Sequence, residues 1–134
     1  QIKTCIRDAK MFGNTVVFAD TVGCADRLQI MSWADMAHKE DLKVALHLHH
    51  KGDESTPISM VRAGIFSGIT EFDTSIGGLG GCPFAEGSGA NLATETLVKY
   101  LRAWGIQCDV DEEKLQQALK ITREIKRRAA ECHQ

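Results

Sequence analysis

Three short apolar stretches, separated by segments with helical spacing, constrain the fold of this chain more than any other feature. Residues 15–19, 43–49 and 69–73 are rich in β-branched or aliphatic residues and are bounded by turn residues, a pattern that predicts strands. The first of them is expected to be buried. Because strands that alternate with helices form parallel sheets, we predict an α/β fold. The carboxyl ends of the strands should then lie together at one edge of the sheet.

The helical segments also predict which side chains are buried. We expect helices over residues 1–12, 26–39 and 57–66, followed by two more, the first of which Asn91 or Thr94 can cap. Their apolar residues recur at the spacing of a single buried helix face. The predicted core positions are Leu28, Met31, Ala34, Met36 or Ala37, Ile58, Val61, Ile65, Phe66, Leu92, Leu97, Tyr100, Leu101, Trp104, Leu115, Ala118, Leu119, Thr122 and Ile125.

Polar residues that could bind a metal ion or serve a functional site fall at the predicted carboxyl ends of the strands. Because side chains alternate along a strand, His47 and His49 share one face, with Cα atoms about 6.5 to 7 Å apart. That spacing suits two ligands of one metal ion, but two such histidines are also common as ordinary hydrogen-bonded residues. Asp20 follows the first strand, where it can serve a site or cap a turn. Asp73 ends the third strand and should lie near them.

A glycine-rich stretch, Ser75 to Asn91, follows the third strand. Six of its seventeen residues are glycine, so its backbone can adopt positive φ and approach a ligand closely. It contains one thiol, Cys82, and Pro83 restricts the backbone beside it. This composition is consistent with a binding loop, and equally with a flexible connector whose cysteine is buried.

Composition excludes several classes of function. The 134 residues are 43% hydrophobic and 25% charged, which predicts one globular domain. A net charge of −2 gives no electrostatic basis for binding nucleic acid or an anionic membrane. The five cysteines are widely spaced and contain no Cys-x-x-Cys pair, which favours a reducing compartment such as the cytosol or mitochondrial matrix. The chain begins without Met, as a fragment would.

The motif Ser-Ile-Gly-Gly-Leu-Gly-Gly-Cys-Pro-Phe at residues 75–84 resembles the active-site signature of the 3-hydroxy-3-methylglutaryl-CoA lyases. The spacing from Cys82 to Asn91 and the Asp-Thr-Val-Gly motif at Asp20 are also similar to that family. The family is built on TIM barrels, which need about 250 residues. The resemblance therefore implies that residues 1–134 form the C-terminal half of such a barrel, about four parallel βα units with the barrel incomplete.

The resemblance also implies a set of functional residues. His47, His49 and Asn91 match the family's ligands for a divalent cation, Mg²⁺ or Mn²⁺. Cys82 would act as a general acid or proton shuttle, since a neighbouring cation can tune the pKa of a thiol. His47 would also relay a proton, and Asp20 would orient a ligand. The family's carboxylate ligand and arginine lie near the first barrel strand, which this chain lacks.

The implied reaction is retro-Claisen cleavage of a 3-hydroxy-3-alkylglutaryl-CoA to acetyl-CoA and a 3-oxo acid, so the expected partner is an acyl-CoA substrate. One alternative is a Claisen-type synthase or aldolase of the same superfamily, which shares His-x-His. Another is a half-barrel without catalytic activity. Since unpaired strand edges favour association, we expect a homo-oligomer or pairing with the missing N-terminal half. His50 stands where the family usually has Asp.

Overall fold

The computed structural model describes residues 2–81 and 89–132 of the chain. Helices and strands alternate through its first half, as the sequence predicts. In chain order the elements are α1 (Ile2–Ala9), β1 (Thr15–Asp20), α2 (Arg27–His38), β2 (Lys43–His50), α3 (Ser55–Phe66), β3 (Glu71–Asp73), a tight turn at Ile76–Gly78, β4 (Ala90–Asn91), α4 (Thr94–Ala103) and α5 (Glu112–Glu131).

The sheet is organised around β2, which pairs in parallel with β1 on one side and with β3 on the other. The predicted parallel α/β arrangement is therefore confirmed. His47 lies opposite Ala19 of β1 and Asp73 of β3 in this register. Beyond the pairing with β3, the end of β2 pairs with β4 in the antiparallel direction, which places Asn91 opposite His49. The strand ends thus bring polar residues from distant parts of the chain to one edge.

Local capping explains where two of the helices begin. Asp26 Oδ1 accepts a hydrogen bond from the backbone N–H of Gln29, and Gln29 Oε1 accepts one from the backbone N–H of Asp26, so α2 has a complete capping box. Asp111 caps α5 through the backbone N–H of Lys114. The expected capping of α4 by Asn91 or Thr94 is wrong. Asn91 belongs to β4, and α4 begins after Ala93 without a side-chain cap.

The core lies between the sheet and the helices, and part of its predicted composition is wrong. Ile30, Ala34 and Ala37 form the buried face of α2, whereas Leu28 is 77% exposed. Met31 of α2, Phe66 of α3 and Ile125 of α5 are exposed as well. The two alanines leave room for α2 to approach the sheet, whereas Leu28 and Met31 lie outside this buried face. The exposed residues of α2 and α3 line a surface groove of about 810 Å³.

Strand β1 is only partly buried, contrary to expectation. Phe18 faces the core, but Val17 and Ala19 are exposed on the other face. That face continues the one carrying Ala45 and His47 of β2, because the strands are in register. The sheet is open, and within the described part of the chain this face of β1 remains exposed.

None of the helices in the described ranges, 2–81 and 89–132, combines the length and apolar character needed to cross a bilayer. The longest of them, α5, has 20 residues and carries charged side chains along much of its length. It contacts the remainder of the chain through one stripe that includes Leu115, Leu119 and Thr122.

The exposed face and edge of β1 predict that the isolated chain self-associates, because unpaired strand groups and apolar side chains favour intermolecular pairing. Sedimentation velocity should show dimers or larger species. Val17→Lys should shift the distribution toward monomer by placing a charge on this strand, whereas Lys3→Ala on α1 should not. A monodisperse monomer of the unaltered chain would contradict the prediction.

Candidate functional site

Two imidazoles meet at the carboxyl end of β2. The alternation of the strand puts His47 and His49 on one face, and their Nε2 atoms are 3.0 Å apart. The rings meet edge to face, with centroids 4.9 Å apart. His49 is only 4% exposed, whereas His47 is half-buried. The predicted proximity of these side chains is therefore present, and it leaves their Nε2 atoms facing each other.

A backbone carbonyl determines which nitrogen of His49 carries the proton. His49 Nδ1 lies 3.1 Å from the carbonyl oxygen of Gly89. Because a carbonyl oxygen can only accept, Nδ1 must donate, and in the neutral ring Nε2 then bears a lone pair. This is the arrangement in which an imidazole nitrogen can bind a metal ion while its other nitrogen is held in place.

Asp73 lies beside the other histidine. The β2–β3 register places it opposite His47, and its Oδ2 is 3.8 Å from His47 Nδ1. This is longer than a hydrogen bond, but it puts a carboxylate next to the nitrogen that faces away from His49.

Asn91 is the third polar group at this edge. Its Nδ2 donates a hydrogen bond to the carbonyl oxygen of Leu79 at 2.7 Å. Its Oδ1 is buried and has no hydrogen-bond partner among the residues that the structure describes. Such an unpaired buried acceptor costs about 1–3 kcal/mol. It therefore indicates a position where a donor or a cation is expected.

These groups fit a divalent cation. With their Nε2 atoms 3.0 Å apart, His47 and His49 would be able to hold one ion together. The amide oxygen of Asn91 is a hard donor of the kind that Mg²⁺ and Mn²⁺ prefer. Within the described ranges, no three histidine, cysteine, aspartate or glutamate side chains are arranged to hold a metal ion.

Asp20 holds the loop that follows β1. One carboxylate oxygen accepts from the backbone N–H of Cys24 at 2.9 Å, and the other accepts from that of Ala25 at 3.0 Å. Both oxygens are thus engaged by the turn between β1 and α2. This geometry supports the turn-capping interpretation of Asp20 over direct contact with the histidines.

Cys82 lies outside the described residues, as does the rest of 82–88. The two segments that flank this stretch are hydrogen-bonded to each other. The Leu79 carbonyl accepts from Ser75 Oγ at 2.6 Å as well as from Asn91 Nδ2. Sequence reasoning missed the backbone carbonyls of Leu79 and Gly89. One available signal was Gly89 itself, where a Cβ would lie 1.4 Å from the His50 carbonyl oxygen.

His50 connects the site to α4 through a short network. Its Nε2 is 3.8 Å from Glu54 Oε1, while Glu54 Oε2 accepts from Thr96 Oγ1 at 2.6 Å. Hydrogen bonds from the hydroxyl and backbone N–H of Ser55 hold the pKa of Asp53 below its usual value. The loop after β2 is therefore ordered by polar contacts where the sequence departs from the family that it resembles.

Comparisons with known proteins find relatives over most of this chain. A family model described as HMGL-like matches residues 2–122. A hydroxymethylglutaryl-CoA lyase of Bacillus subtilis is 39% identical over 103 residues, covering 75% of this chain and 34% of the relative. An (R)-citramalyl-CoA lyase of Chloroflexus aurantiacus is 34% identical over 98 residues, covering 72% of this chain and 30% of the relative.

A solved structure shows the same fold. The crystal structure of the Bacillus subtilis HMG-CoA lyase matches with a TM-score of 0.77 and 35% identity, covering 92% of this chain and 43% of that one. The chain spans about a third of the length of the curated relatives described above. Its parallel α/β sheet is thus part of a TIM barrel, and the sheet is not closed.

The two loop hydrogen bonds of Asp20 predict a mainly structural effect of its removal. Asp20→Ala should lower the free energy of unfolding by about 1–2 kcal/mol, since both backbone donors lose their acceptor. Asp20→Asn keeps one acceptor oxygen and should cost less. Urea denaturation measures this, with Asp8→Ala, an exposed aspartate of α1, as the control. A stability equal to that of the control would contradict the capping role.

Proposed function

Because the chain belongs to the HMGL-like family, we propose that it forms the metal-binding and thiol-bearing part of a carbon–carbon lyase. The substrate is a 3-hydroxy-3-alkylglutaryl-CoA, which is cleaved to acetyl-CoA and a 3-oxo acid; for the methyl compound this acid is acetoacetate. The names of the two lyase relatives, both acting on CoA thioesters, support this substrate class.

One observation carries the proposal. The Nε2 atoms of His47 and His49 are 3.0 Å apart, and the buried Oδ1 of Asn91, opposite His49, has no partner within residues 2–81 and 89–132. An ordinary hydrogen-bonded pair of histidines would explain the first contact but gives no reason for the orphaned amide oxygen. A shared Mg²⁺ or Mn²⁺ accounts for both.

The candidate catalytic residues have defined roles in this proposal. When bound, a divalent cation supplies Lewis-acid chemistry that favours ionisation of the substrate hydroxyl. As the C2–C3 bond breaks, the hydroxyl carbon becomes a ketone and the bond's electrons form the enolate of the acetyl thioester. The Cys82 thiol donates the proton that this enolate needs. The proton lost from the substrate hydroxyl passes to His47, whose Nδ1 lies 3.8 Å from Asp73 Oδ2, and it balances the proton that Cys82 gives to the enolate.

The proposal requires a further segment. A carboxylate ligand and a cationic residue near the substrate are expected from the family resemblance, and neither is assigned to a residue of this chain. We therefore propose that the chain acts together with an N-terminal half-barrel that would pair with the open sheet.

The four described cysteines, Cys5, Cys24, Cys108 and Cys132, are free, which supports a reducing compartment such as the cytosol or mitochondrial matrix.

The citramalyl-CoA lyase relative favours a second candidate substrate. Citramalyl-CoA is also a tertiary hydroxyacyl thioester, so its cleavage would require the same cation, thiol and histidine pair. A different alternative, a half-barrel without catalytic activity, is supported by the open sheet and the exposed face of β1. Metal binding alone does not separate these possibilities, whereas substrate cleavage does.

Metal binding by the chain is the first prediction of this proposal. Titration of the chain with Mn²⁺, followed by electron paramagnetic resonance of the free ion, should reveal one site. His49→Ala should weaken Mn²⁺ binding at least about tenfold because it removes a ligand. His38→Ala removes an exposed histidine from α2 and should have no effect. Equal Mn²⁺ affinity of the two variants would contradict the proposed site.

Catalysis is the second prediction. The chain alone should not cleave hydroxymethylglutaryl-CoA, whereas co-expression with the N-terminal part of the Bacillus subtilis lyase should restore Mn²⁺-dependent cleavage. In that complex Cys82→Ala should reduce kcat by about a hundredfold or more, with Mn²⁺ affinity unchanged. Cys5→Ala, on α1, is the matched control. Unaltered turnover of the Cys82 variant would reject its proposed role, and cleavage of citramalyl-CoA alone would select the second substrate.

A further inference from the structure

In the tight turn at Ile76–Gly78, both backbone polar groups of Gly77 form hydrogen bonds with side chains. Its backbone N–H donates to Glu95 Oε2 of α4 at 3.0 Å. Its carbonyl oxygen accepts from Lys126 Nζ of α5 at 2.5 Å. The chain thus places a carboxylate and an ammonium group from two different helices on the two polar groups of a single residue.

Helix α5 also contacts this turn through a buried side chain. Gly77 has a φ of +66°, and a Cβ at this position would lie 2.7 Å from Cγ2 of Thr122. Thr122 is one of the two buried polar residues in the described ranges. The turn therefore requires glycine both for its backbone conformation and for the approach of α5.

The turn is connected to Asn91 by a short series of hydrogen bonds. Ser75, which precedes the turn, and Asn91 both donate to the carbonyl oxygen of Leu79, which follows it. Because an amide has one donor end and one acceptor end, the bond from Asn91 Nδ2 to Leu79 determines which way Oδ1 points. Asn91 Nδ2 would also be only 2.9 Å from a Cβ at Gly80. The position of the turn thus decides the orientation of the Asn91 amide.

We propose that Glu95 and Lys126 are positioning residues for Asn91. By holding Gly77 from α4 and α5, they place the Leu79 carbonyl where it fixes the Asn91 amide, with Oδ1 free to act as a ligand. The inference rests on the proposed function in one respect, which is that Asn91 Oδ1 is taken to be a ligand of the cation. Helix α5 then acts on the site from a surface position, although none of its residues is among the proposed ligands.

The direct test follows the side-chain amide of Asn91 by nitrogen-15 NMR. In the unaltered chain, one Nδ2 proton should exchange slowly with water because it is hydrogen-bonded. Lys126→Ala and Glu95→Ala should each accelerate this exchange and weaken Mn²⁺ affinity by about two- to tenfold, the effect of losing one hydrogen bond. Lys126→Arg and Glu95→Gln retain a donor and an acceptor, respectively, and should restore both values to within about twofold.

Matched controls separate positioning from general destabilisation. Lys120→Ala removes the same charge from an exposed position on α5, and Glu113→Ala removes a carboxylate from its first turn. Both should leave the Asn91 exchange and the Mn²⁺ affinity unchanged. Urea denaturation of all variants reports global stability, so a local effect appears as faster Asn91 exchange at a similar urea midpoint.

The outcomes distinguish this inference from the proposed function. If Lys126→Ala and Glu95→Ala behave like their controls in Asn91 exchange, the positioning role is overturned. If they accelerate exchange but bind Mn²⁺ as the controls do, while His49→Ala loses Mn²⁺, the effect on the ligand is overturned. If His49→Ala retains full affinity, the metal site fails, and the exchange rates still decide whether the two residues orient Asn91.

Discussion

The pairing of β4 with the end of β2 is the interaction on which the candidate site depends. It places Asn91 opposite His49, although the two residues are far apart in the sequence. It also brings the Gly89 carbonyl to Nδ1 of His49, so that in the neutral ring the facing Nε2 carries a lone pair. A two-residue strand is too short to be stable alone, so its position also depends on contacts with Gly78 and Leu79.

The turn at Ile76–Gly78 is stabilised in part by α4 and α5, which lie outside the site. Glu95 and Lys126 bond the Gly77 peptide, and Asn91 bonds the Leu79 carbonyl, with each hydrogen bond contributing about 0.5–1.5 kcal/mol. Together they offset the unfavourable burial of the Asn91 amide oxygen, which lacks a partner in the part of the chain that the structure describes. A ligand that contacts this oxygen would recover part of that energy, so the same feature that reduces the stability of the free chain favours binding.

Sequence patterns predicted the elements well and the burial of individual residues less well. The positions of the helices and strands and the alternation of β2 are confirmed because each depends on neighbours within one element. Leu28 and Phe66 were placed in the core because helical spacing identifies an apolar stripe but not the element that covers it. The exposed face of β1 has the same cause, since a strand sequence cannot show whether the sheet closes.

The sequence by itself determined that His47 and His49 share a face, that Asp20, His49 and Asp73 fall at one edge of a parallel sheet, and that the chain resembles a lyase family. Only the tertiary structure decided that the two Nε2 atoms meet, which His49 nitrogen is protonated, and that Asn91 presents its oxygen rather than its nitrogen. The physical reason is the range of the interactions. Strand periodicity orders residues that are neighbours in the chain, whereas ring contacts and amide orientation depend on carbonyl groups supplied by segments distant from the histidines in the sequence.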